Sequence, residues 1–267
     1  MDYTSIPGQV IPAADYKPDW NLLFPGLAAA NWNQSSPSLA IIALRVDLKH
    51  SEREIFVTPG LGPLGSNSGR NFTSKTTSSF LEDFNCIAAI NATPYYPYRF
   101  FQGLSQRAVG IVISDGIQYS PQSDYAVFLY TEDNKVRFVE PSFDIGDDSG
   151  IKQAAGGFFI ILKDGENIGF KGKRNPLSLI GLSKNDRYLF LVVIDGGNLN
   201  HSIGASLWEG AEWMRTLGAY DAMILDGGGS STLVIQGEDR KSLLLNKPAG
   251  FNLFSKERPV AVHIGIK

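Results

Sequence analysis

The sequence predicts an α+β fold with a β-rich core of mixed sheet and a few helices, including one strand–helix–strand unit near the C-terminus. Two observations support this prediction. Short apolar runs separated by Asp-Gly or Asn-containing turns fill the middle of the chain, which is typical of β-hairpins. Near the C-terminus, the continuously apolar run 188–194 precedes a stretch of helical spacing and a second apolar run, 222–225, which is typical of a strand–helix–strand unit.

Composition indicates a globular protein. Of the 267 residues, 43% are hydrophobic and 19% are charged. The net charge of −3 and the lack of any Lys/Arg run argue against a nucleic-acid partner or an anionic membrane surface. No segment reaches the roughly 18 consecutive apolar residues of a membrane span. The N-terminus shows no basic region followed by an apolar stretch, so no signal peptide is visible in this chain.

Cysteine and histidine usage restricts the chemistry. Cys86, the single cysteine, lies in an apolar run, and we expect a buried structural thiol rather than a nucleophile. With three histidines in the chain, we expect no His-rich metal site.

The N-terminal region is rich in proline. Residues 1–38 contain five prolines and little periodicity, and we interpret them as an extended arm that precedes a single domain over residues 39–267. The first strand is expected at 39–48. Residues 58–79 are rich in Gly, Ser, Thr and Asn and predict a long loop.

A short helix is predicted at 79–84, followed by a strand at 87–90. Residues 125–130 and 136–139 flank a Glu-Asp-Asn turn and predict a hairpin. Another strand with a tight turn is predicted at 158–162.

The last third of the chain predicts the functional region. The run 188–194 indicates a strand covered on both faces. A helix is predicted over 203–217, with Ser202 as its N-cap and Gly218 just past its end. Its expected core stripe recurs at helical spacing: Ile203, Leu207, Ala211, Met214 and Leu217.

Two aspartates follow the flanking strands directly. A strand–helix–strand unit with short connections predicts a parallel pair, and Asp195 and Asp226 then lie at the same edge of the sheet. Ligands of such units bind outside the carboxyl ends of the strands. This edge is therefore the predicted site.

The segment that follows Asp226 is Gly-Gly-Gly-Ser-Ser. Consecutive glycines lose much backbone entropy on folding and indicate unusual dihedral angles or close approach. Gly228, Gly229, Ser230 and Ser231 could offer amide hydrogens and hydroxyls to an anion such as a phosphodiester. A glycine-rich hairpin turn, and calcium binding through Asp195 and Asp226, remain alternatives.

Glu209 adds a third carboxylate on the predicted helix. Its neighbours one turn away are Ala205 and Trp213, so no cation pairs with it along the helix. Small and aromatic neighbours of this kind indicate that Glu209 lines a pocket. The alternative is an ordinary glutamate on the protein surface. Asn91 begins an Asn-Ala-Thr glycosylation sequon but also follows a buried strand, where a polar site role suits it equally well.

These motifs resemble a known family. Residues 217–233, which contain the Leu-Asp-Gly-Gly-Gly-Ser-Ser block, are similar to the signature of the phosphodiester glycosidases, a family with many bacterial members. Weaker resemblances extend over most of residues 39–267, in the same order as in the family, at 89–91, 155–165, 192–196, 202–209 and 257–260. Two arginines of the family pattern are absent, since this chain has Gly197 and Leu177 at those positions. Arg107, Arg174 and Arg258 are the candidates to replace them.

The resemblance implies a hydrolase that cleaves the anomeric bond of a sugar-1-phosphodiester, such as an N-acetylglucosamine-1-phosphodiester, and releases free sugar and a phosphomonoester. Asp226 and Glu209 would be the catalytic carboxylates, and Asp195 would orient the sugar or a carboxylate. The substrate-binding residues would be Asn91 for the sugar, Gly228, Gly229, Ser230 and Ser231 for the phosphate, and Arg258 as counter-charge.

The same resemblance implies export to the periplasm or cell surface. It requires no cofactor or metal, with calcium as the alternative. A non-catalytic carbohydrate- or calcium-binding module on the same fold is the competing hypothesis, and the missing arginines motivate it.

Overall fold

The computed structural model describes residues 10–13, 15–67, 71–143, 145, 150–249 and 257–267. They form two α-helices, α1 (Thr77–Asp83) and α2 (Leu207–Leu217). The strands, in chain order, are β1 (Asn21–Phe24), β2 (Leu27–Ser35), β3 (Ser38–Asp47), β4 (Ile55–Val57), β5 (Asn71–Thr73), β6 (Ala88–Asn91), β7 (Tyr95–Tyr96), β8 (Ser105–Ala108), β9 (Val112–Ser114), β10 (Ile117–Ser120), β11 (Val127–Thr131), β12 (Val136–Val139), β13 (Ile151–Gly156), β14 (Ile160–Lys163), β15 (Glu166–Asn167), β16 (Leu177–Leu182), β17 (Tyr188–Ile194), β18 (Asp221–Ile224), β19 (Leu233–Gln236), β20 (Ser242–Leu244) and β21 (His263–Ile266). The predicted β-rich α+β class is confirmed.

The chain forms two compact units, and each is assembled from three separate stretches. Unit 1 contains residues 1–53, 160–231 and 246–256, and unit 2 contains residues 54–159, 232–245 and 257–267. The stretches alternate along the chain, so no single linker divides the units. The two units were therefore not predicted from the sequence, which was interpreted as one domain over 39–267.

Unit 1 is built on a sheet with the strand order β1-β2-β3-β17-β16-β18-β14-β15. Its central strand β17 pairs with β3 on one side and β16 on the other, and all of its residues except Tyr188 are buried. This confirms the expectation from its unbroken apolar sequence. Trp213 and Met214 of α2 are fully buried.

The predicted parallel pair is wrong. β16 lies between β17 and β18 and is antiparallel to both. The prediction of a mixed sheet is also wrong, because every strand pairing in the described part of the chain is antiparallel. However, two strands that are both antiparallel to β16 run in the same direction. The carboxyl ends of β17 and β18 therefore still lie at one edge.

Helix α2 begins later than predicted. Ser206, not Ser202, is its N-cap, and Ser206 forms a capping box with Glu209. Gly204 lies two residues before this N-cap in a left-handed conformation: its φ is +85°, and a Cβ there would lie 2.5 Å from the Asn175 carbonyl oxygen. The predicted end is confirmed, since Gly218 follows Leu217 in a left-handed conformation with φ of 109°.

The structure has strands β1 and β2 within residues 21–35, where the sequence predicted an extended arm over residues 1–38. Residues 1–9 and 14 of that arm lie outside the described residues. β2 pairs with β3 along its whole length, from Leu27↔Val46 to Ser35↔Ser38. The prolines do not interrupt these strands: Pro25 lies between β1 and β2, and Pro37 lies in the turn before β3. Proline has no amide hydrogen, but in a turn this removes no hydrogen bond between strands. A high proline content is therefore compatible with strands on either side of the turns.

Unit 2 contains three antiparallel sheets, with strand orders β10-β9-β13-β11-β12, β20-β19-β6-β21-β4 and β5-β8-β7. The predicted hairpin is present as β11 and β12. The predicted loop over 58–79 is interrupted by β5 and by the start of α1.

Helix α1 packs against the second sheet of unit 2 and buries Phe80 beside Cys86. Burial raises the pKa of the Cys86 thiol to about 12. The thiol is therefore protonated at neutral pH, which agrees with the expected structural role.

In the described part of the chain, no helix has the length and apolar character needed to cross a membrane.

Candidate active site

Two Asp-Gly turns lie at one edge of the unit 1 sheet, where β16 begins. Ile194 of β17 pairs with Leu177, and Ile224 of β18 pairs with Leu179. Asp195 and Asp226 therefore follow strands that flank the same end of β16. The sequence correctly predicted this shared edge, although the prediction assumed that β17 and β18 pair directly with each other.

Both turns pack on the backbone of Pro176. A Cβ on Gly196 would lie 2.8 Å from the Pro176 nitrogen, and a Cβ on Gly227 would lie 3.0 Å from its carbonyl oxygen. The amide of Gly228 donates to that same oxygen, at 2.9 Å. Glycine is thus favoured at both positions because a side chain would meet the backbone of Pro176.

Asp195 is a buried and fully engaged carboxylate, with 2% of its surface exposed. Its Oδ1 accepts a hydrogen bond from Asn246 Nδ2 at 2.8 Å. Its Oδ2 accepts one from the Lys247 backbone amide at 2.9 Å and lies 2.7 Å from His201 Nε2. The Ser202 hydroxyl donates to the Asp195 carbonyl oxygen. Such a set of donors stabilises a buried charge.

Asn246 links the two turns. Besides Asp195, its Nδ2 donates to the carbonyl oxygen of Ser231 at 3.0 Å. Sequence reasoning missed both Asn246 and His201. For His201 there was a weak signal, because it lies six residues after Asp195 in a turn. Asn246 carried no local signal.

The glycine-rich segment forms a 3₁₀ turn over Gly228–Ser230. Asp226, Gly228 and Gly229 are partly exposed, whereas Ser230 and Ser231 are buried. The amides of Ser230 and Ser231 donate to the carbonyl oxygens of Gly227 and Gly228. These amide hydrogens, like that of Gly228, are thus used within the protein, and a phosphate at this turn needs other donors.

Glu209 has a cation partner that the helical pattern did not reveal. Arg174, in the segment that leads into β16, donates from Nη2 to Oε1 at 2.7 Å and from Nε to both carboxylate oxygens, at 3.2 and 3.1 Å. Glu209 Oε2 also accepts the Ser206 amide hydrogen at 2.8 Å. Both side chains are about nine-tenths buried.

The electrostatics of Glu209 follow from these contacts. Burial by itself would raise its pKa, but the hydrogen bonds from Arg174 and Ser206 outweigh burial and hold the pKa below its ordinary value. Glu209 is therefore ionised at neutral pH. Such a carboxylate contributes charge and positions Arg174, but it has no proton to donate.

The remaining predicted site residues belong to unit 2. Asn91 is fully buried, and its Oδ1 accepts the amide hydrogen of Thr232 at 3.0 Å. This bond joins β6 to the start of β19. The Arg258 guanidinium lies over the Tyr98 ring, 4.3 Å from its centroid. The contact of Asn91 with a sugar and the counter-charge role of Arg258 stay predictions.

The described residues contain no group of three or more His, Cys, Asp or Glu side chains arranged to hold a metal ion. The surroundings of Asp195 do not fit the calcium alternative, since N–H donors approach both of its carboxylate oxygens. A cation there would meet the positive ends of these groups.

A family model described as phosphodiester glycosidase matches residues 84–267, more than two thirds of the chain. The chain belongs to the phosphodiester glycosidase family. The matched region includes all of the predicted site residues. Strands β1 to β5 and helix α1 precede it. No curated protein matches the sequence.

Solved structures share the fold of this chain. The catalytic domain of zebrafish N-acetylglucosamine-1-phosphodiester alpha-N-acetylglucosaminidase, auto-inhibited by its pro-peptide, is similar with a TM-score of 0.65 at 17% identity, over 97% of this chain and 86% of that one. A hypothetical protein from Synechocystis has a TM-score of 0.59 at 15% identity, over 95% and 64% of the two chains. A Burkholderia pseudomallei protein that is proposed to be exported has a TM-score of 0.56 at 14% identity, over 86% and 74%.

Proposed function

We propose that this protein hydrolyses the bond between the anomeric carbon of a sugar and a phosphodiester oxygen. The products are free sugar and a phosphomonoester. The observation that carries the proposal is the pair of Asp-Gly turns on Pro176, with Asp226 partly exposed, in a chain of this family.

The proposed chemistry needs little acid assistance. A water oxygen forms a bond to the anomeric carbon, and the electron pair of the breaking carbon–oxygen bond leaves with the phosphate, which is stable as an anion. The water must lose a proton as it attacks. Asp226 is the proposed acceptor of this proton, because it follows β18 at the edge of the sheet and is partly exposed, whereas Asp195 is buried.

Glu209 and Arg174 have a joint role in this proposal. Glu209 holds the guanidinium of Arg174 in a fixed orientation just before β16, and Arg174 lies three residues before Leu177, where the family pattern has an arginine. Arg174 is thus the proposed phosphate contact from this segment, with its remaining N–H groups as donors.

Sugar orientation is assigned to Asp195 and its neighbour. Because Asp195 is buried, it acts through His201, whose ring is about one fifth exposed and is held by Asp195 Oδ2. The turn at Gly228, Gly229, Ser230 and Ser231 is proposed to border the phosphate. No cofactor takes part.

The first substrate to test is an N-acetylglucosamine-1-phosphodiester, the substrate class in the name of the zebrafish neighbour. Export from the cytoplasm is proposed on the family resemblance and on the description of the Burkholderia neighbour. No nucleic-acid partner is proposed.

The test is release of free sugar from a panel of sugar-1-phosphodiesters. We expect wild-type protein to release sugar, and Asp226→Asn to lower kcat by at least about a hundredfold with an unchanged circular dichroism spectrum. Asp186→Asn is the matched control, since Asp186 lies in an exposed turn with φ of 54°, which Asn tolerates. Wild-type turnover by Asp226→Asn would refute the catalytic assignment. Sugar binding without turnover by wild-type protein would favour the non-catalytic carbohydrate-binding module.

A further inference from the structure

An exposed aromatic loop connects β7 to β8 in unit 2. We name residues 96–104 the aromatic loop. Phe100 and Phe101 are 61% and 76% exposed. The other large exposed side chains of the loop are Tyr96, Tyr98 and Leu104. Single exposed apolar side chains are ordinary, but a contiguous set of this kind marks an interaction surface.

The backbone of the aromatic loop is held in place by a buried serine. The amides of Gly103 and Leu104 donate to the Ser74 carbonyl oxygen and hydroxyl, at 2.8 and 3.1 Å. The Ser74 amide and hydroxyl in turn donate to the carbonyl oxygens of Leu104 and Phe101, at 2.8 and 3.2 Å. The phenyl rings are therefore displayed by a fixed backbone, and their exposure does not result from a loose loop.

The charge around the loop is positive. No Asp or Glu occurs between residues 84 and 114, whereas Arg99 lies in the loop and Arg107 follows it on β8. Arg258 lies over the ring of Tyr98. The net charge of −3 describes the whole chain and conceals this local excess.

The nearby carboxylates are engaged elsewhere. Asp83 forms an ion pair with Lys75, and Glu257 accepts hydrogen bonds from the amide and hydroxyl of Ser78. These contacts pair the two carboxylates with Lys75 and Ser78, not with the arginines of the loop.

We propose that the aromatic loop docks this protein on the surface of an anionic lipid bilayer. Phe100 and Phe101 enter the boundary between headgroups and acyl chains, and the tyrosines lie at the headgroup level. Arg99 and Arg107 contact lipid phosphates. Two adjacent phenyl rings without a polar group suit a hydrocarbon boundary, and the surrounding cations select an anionic one. The proposal does not depend on the proposed hydrolysis.

The test is co-sedimentation of the full chain with lipid vesicles. We expect the protein to bind vesicles that contain phosphatidylglycerol and to bind pure phosphatidylcholine vesicles more weakly. Salt should weaken the binding to the phosphatidylglycerol vesicles. Phe100→Ser with Phe101→Ser should lower the partition coefficient by at least about tenfold, because two large apolar groups no longer leave water. Arg99→Gln with Arg107→Gln should remove the preference for phosphatidylglycerol.

The matched control replaces two exposed phenylalanines elsewhere. Phe159 and Phe170 are 49% and 59% exposed and lie outside the loop. Phe159→Ser with Phe170→Ser should bind vesicles like the wild type. In a second measurement, Phe101→Trp should show a blue-shifted fluorescence increment with anionic vesicles, quenched by brominated acyl chains.

Three outcomes would overturn the proposal. The first is no vesicle binding by the wild type. The second is equal loss of binding in the control and loop variants. The third is a dimer in sedimentation velocity that Phe100→Ser with Phe101→Ser dissociates, because the loop would then be a contact between two copies of the chain.

Discussion

Arg174 and Glu209 form a bidentate ion pair in unit 1, with Arg174 Nη2 2.7 Å from Glu209 Oε1. The pair joins the segment before β16 to the first turn of α2, where Glu209 also caps the helix. One carboxylate thus satisfies a helix terminus and fixes a cation at the edge that carries both Asp-Gly turns.

We expect Arg174→Met to lower the free energy of unfolding by about 3–5 kcal/mol, because Glu209 would remain as a buried charge without its cation. Urea denaturation followed by circular dichroism measures this. Arg187→Met is the control: Arg187 pairs with Asp47 at 2.8 Å but is much more exposed, so little change is expected. Equal effects of the two substitutions would show that burial of the Arg174–Glu209 pair has no energetic consequence.

Replacing Asn246 should affect both stability and turnover. Asn246→Ala removes the donor to Asp195 Oδ1 and to the Ser231 carbonyl oxygen, which costs about 1–3 kcal/mol of unfolding free energy. If the proposed function is correct, kcat/KM should also fall on the order of tenfold, since the two turns lose their link. Asn200→Ala, in an exposed turn, is the control and should change neither quantity. A fully stable and active Asn246→Ala would contradict the linking role.

The glycine requirement at Pro176 is testable by adding one methyl group. Gly196→Ala should destabilise the protein by about 1–3 kcal/mol, because its Cβ would lie 2.8 Å from backbone that cannot rotate away. Gly172→Ala meets no atom within 4 Å and should be neutral or slightly stabilising. The two melting temperatures give the comparison. The packing interpretation fails if Gly196→Ala melts at the wild-type temperature.

Stability should fall in acid because of His263. Burial lowers the pKa of His263 to about 3, well below the roughly 6.5 of an unfolded histidine. Between these values the unfolded chain binds a proton that the folded chain does not, so the folded state loses about 1.4 kcal/mol per pH unit as the pH decreases. Urea titrations at several pH values between 7 and 4 measure this slope.

The matched variant for this prediction is His263→Asn, which should flatten the slope. His263 stacks on Phe80 and shares a hydrogen bond with Thr58, so the variant should also be less stable at neutral pH. An unchanged slope in His263→Asn would assign the acid sensitivity to other groups.

Several parts of the site were predictable because their signals are local. The apolar run 188–194, the Asp-Gly dipeptides after two strands and the glycine after α2 each specify a backbone conformation within a few residues. The buried Cys86 followed from its neighbours in the same way. The start of α2 was mistaken because Ser202 and Ser206 are both acceptable caps. In the structure the Ser202 hydroxyl donates to the Asp195 carbonyl oxygen, and Ser206 caps the helix.

The sequence by itself determined the β-rich class, the family and the edge at which Asp195 and Asp226 lie, because these depend on short patterns read along the chain. Only the tertiary structure decided that β16 separates β17 from β18, that Arg174 neutralises Glu209 and that Asn246 joins Asp195 to Ser231. The physical reason is that these partners lie 35 and 51 residues from Glu209 and Asp195. No local propensity specifies contacts at such separations, which arise only when the sheet has formed.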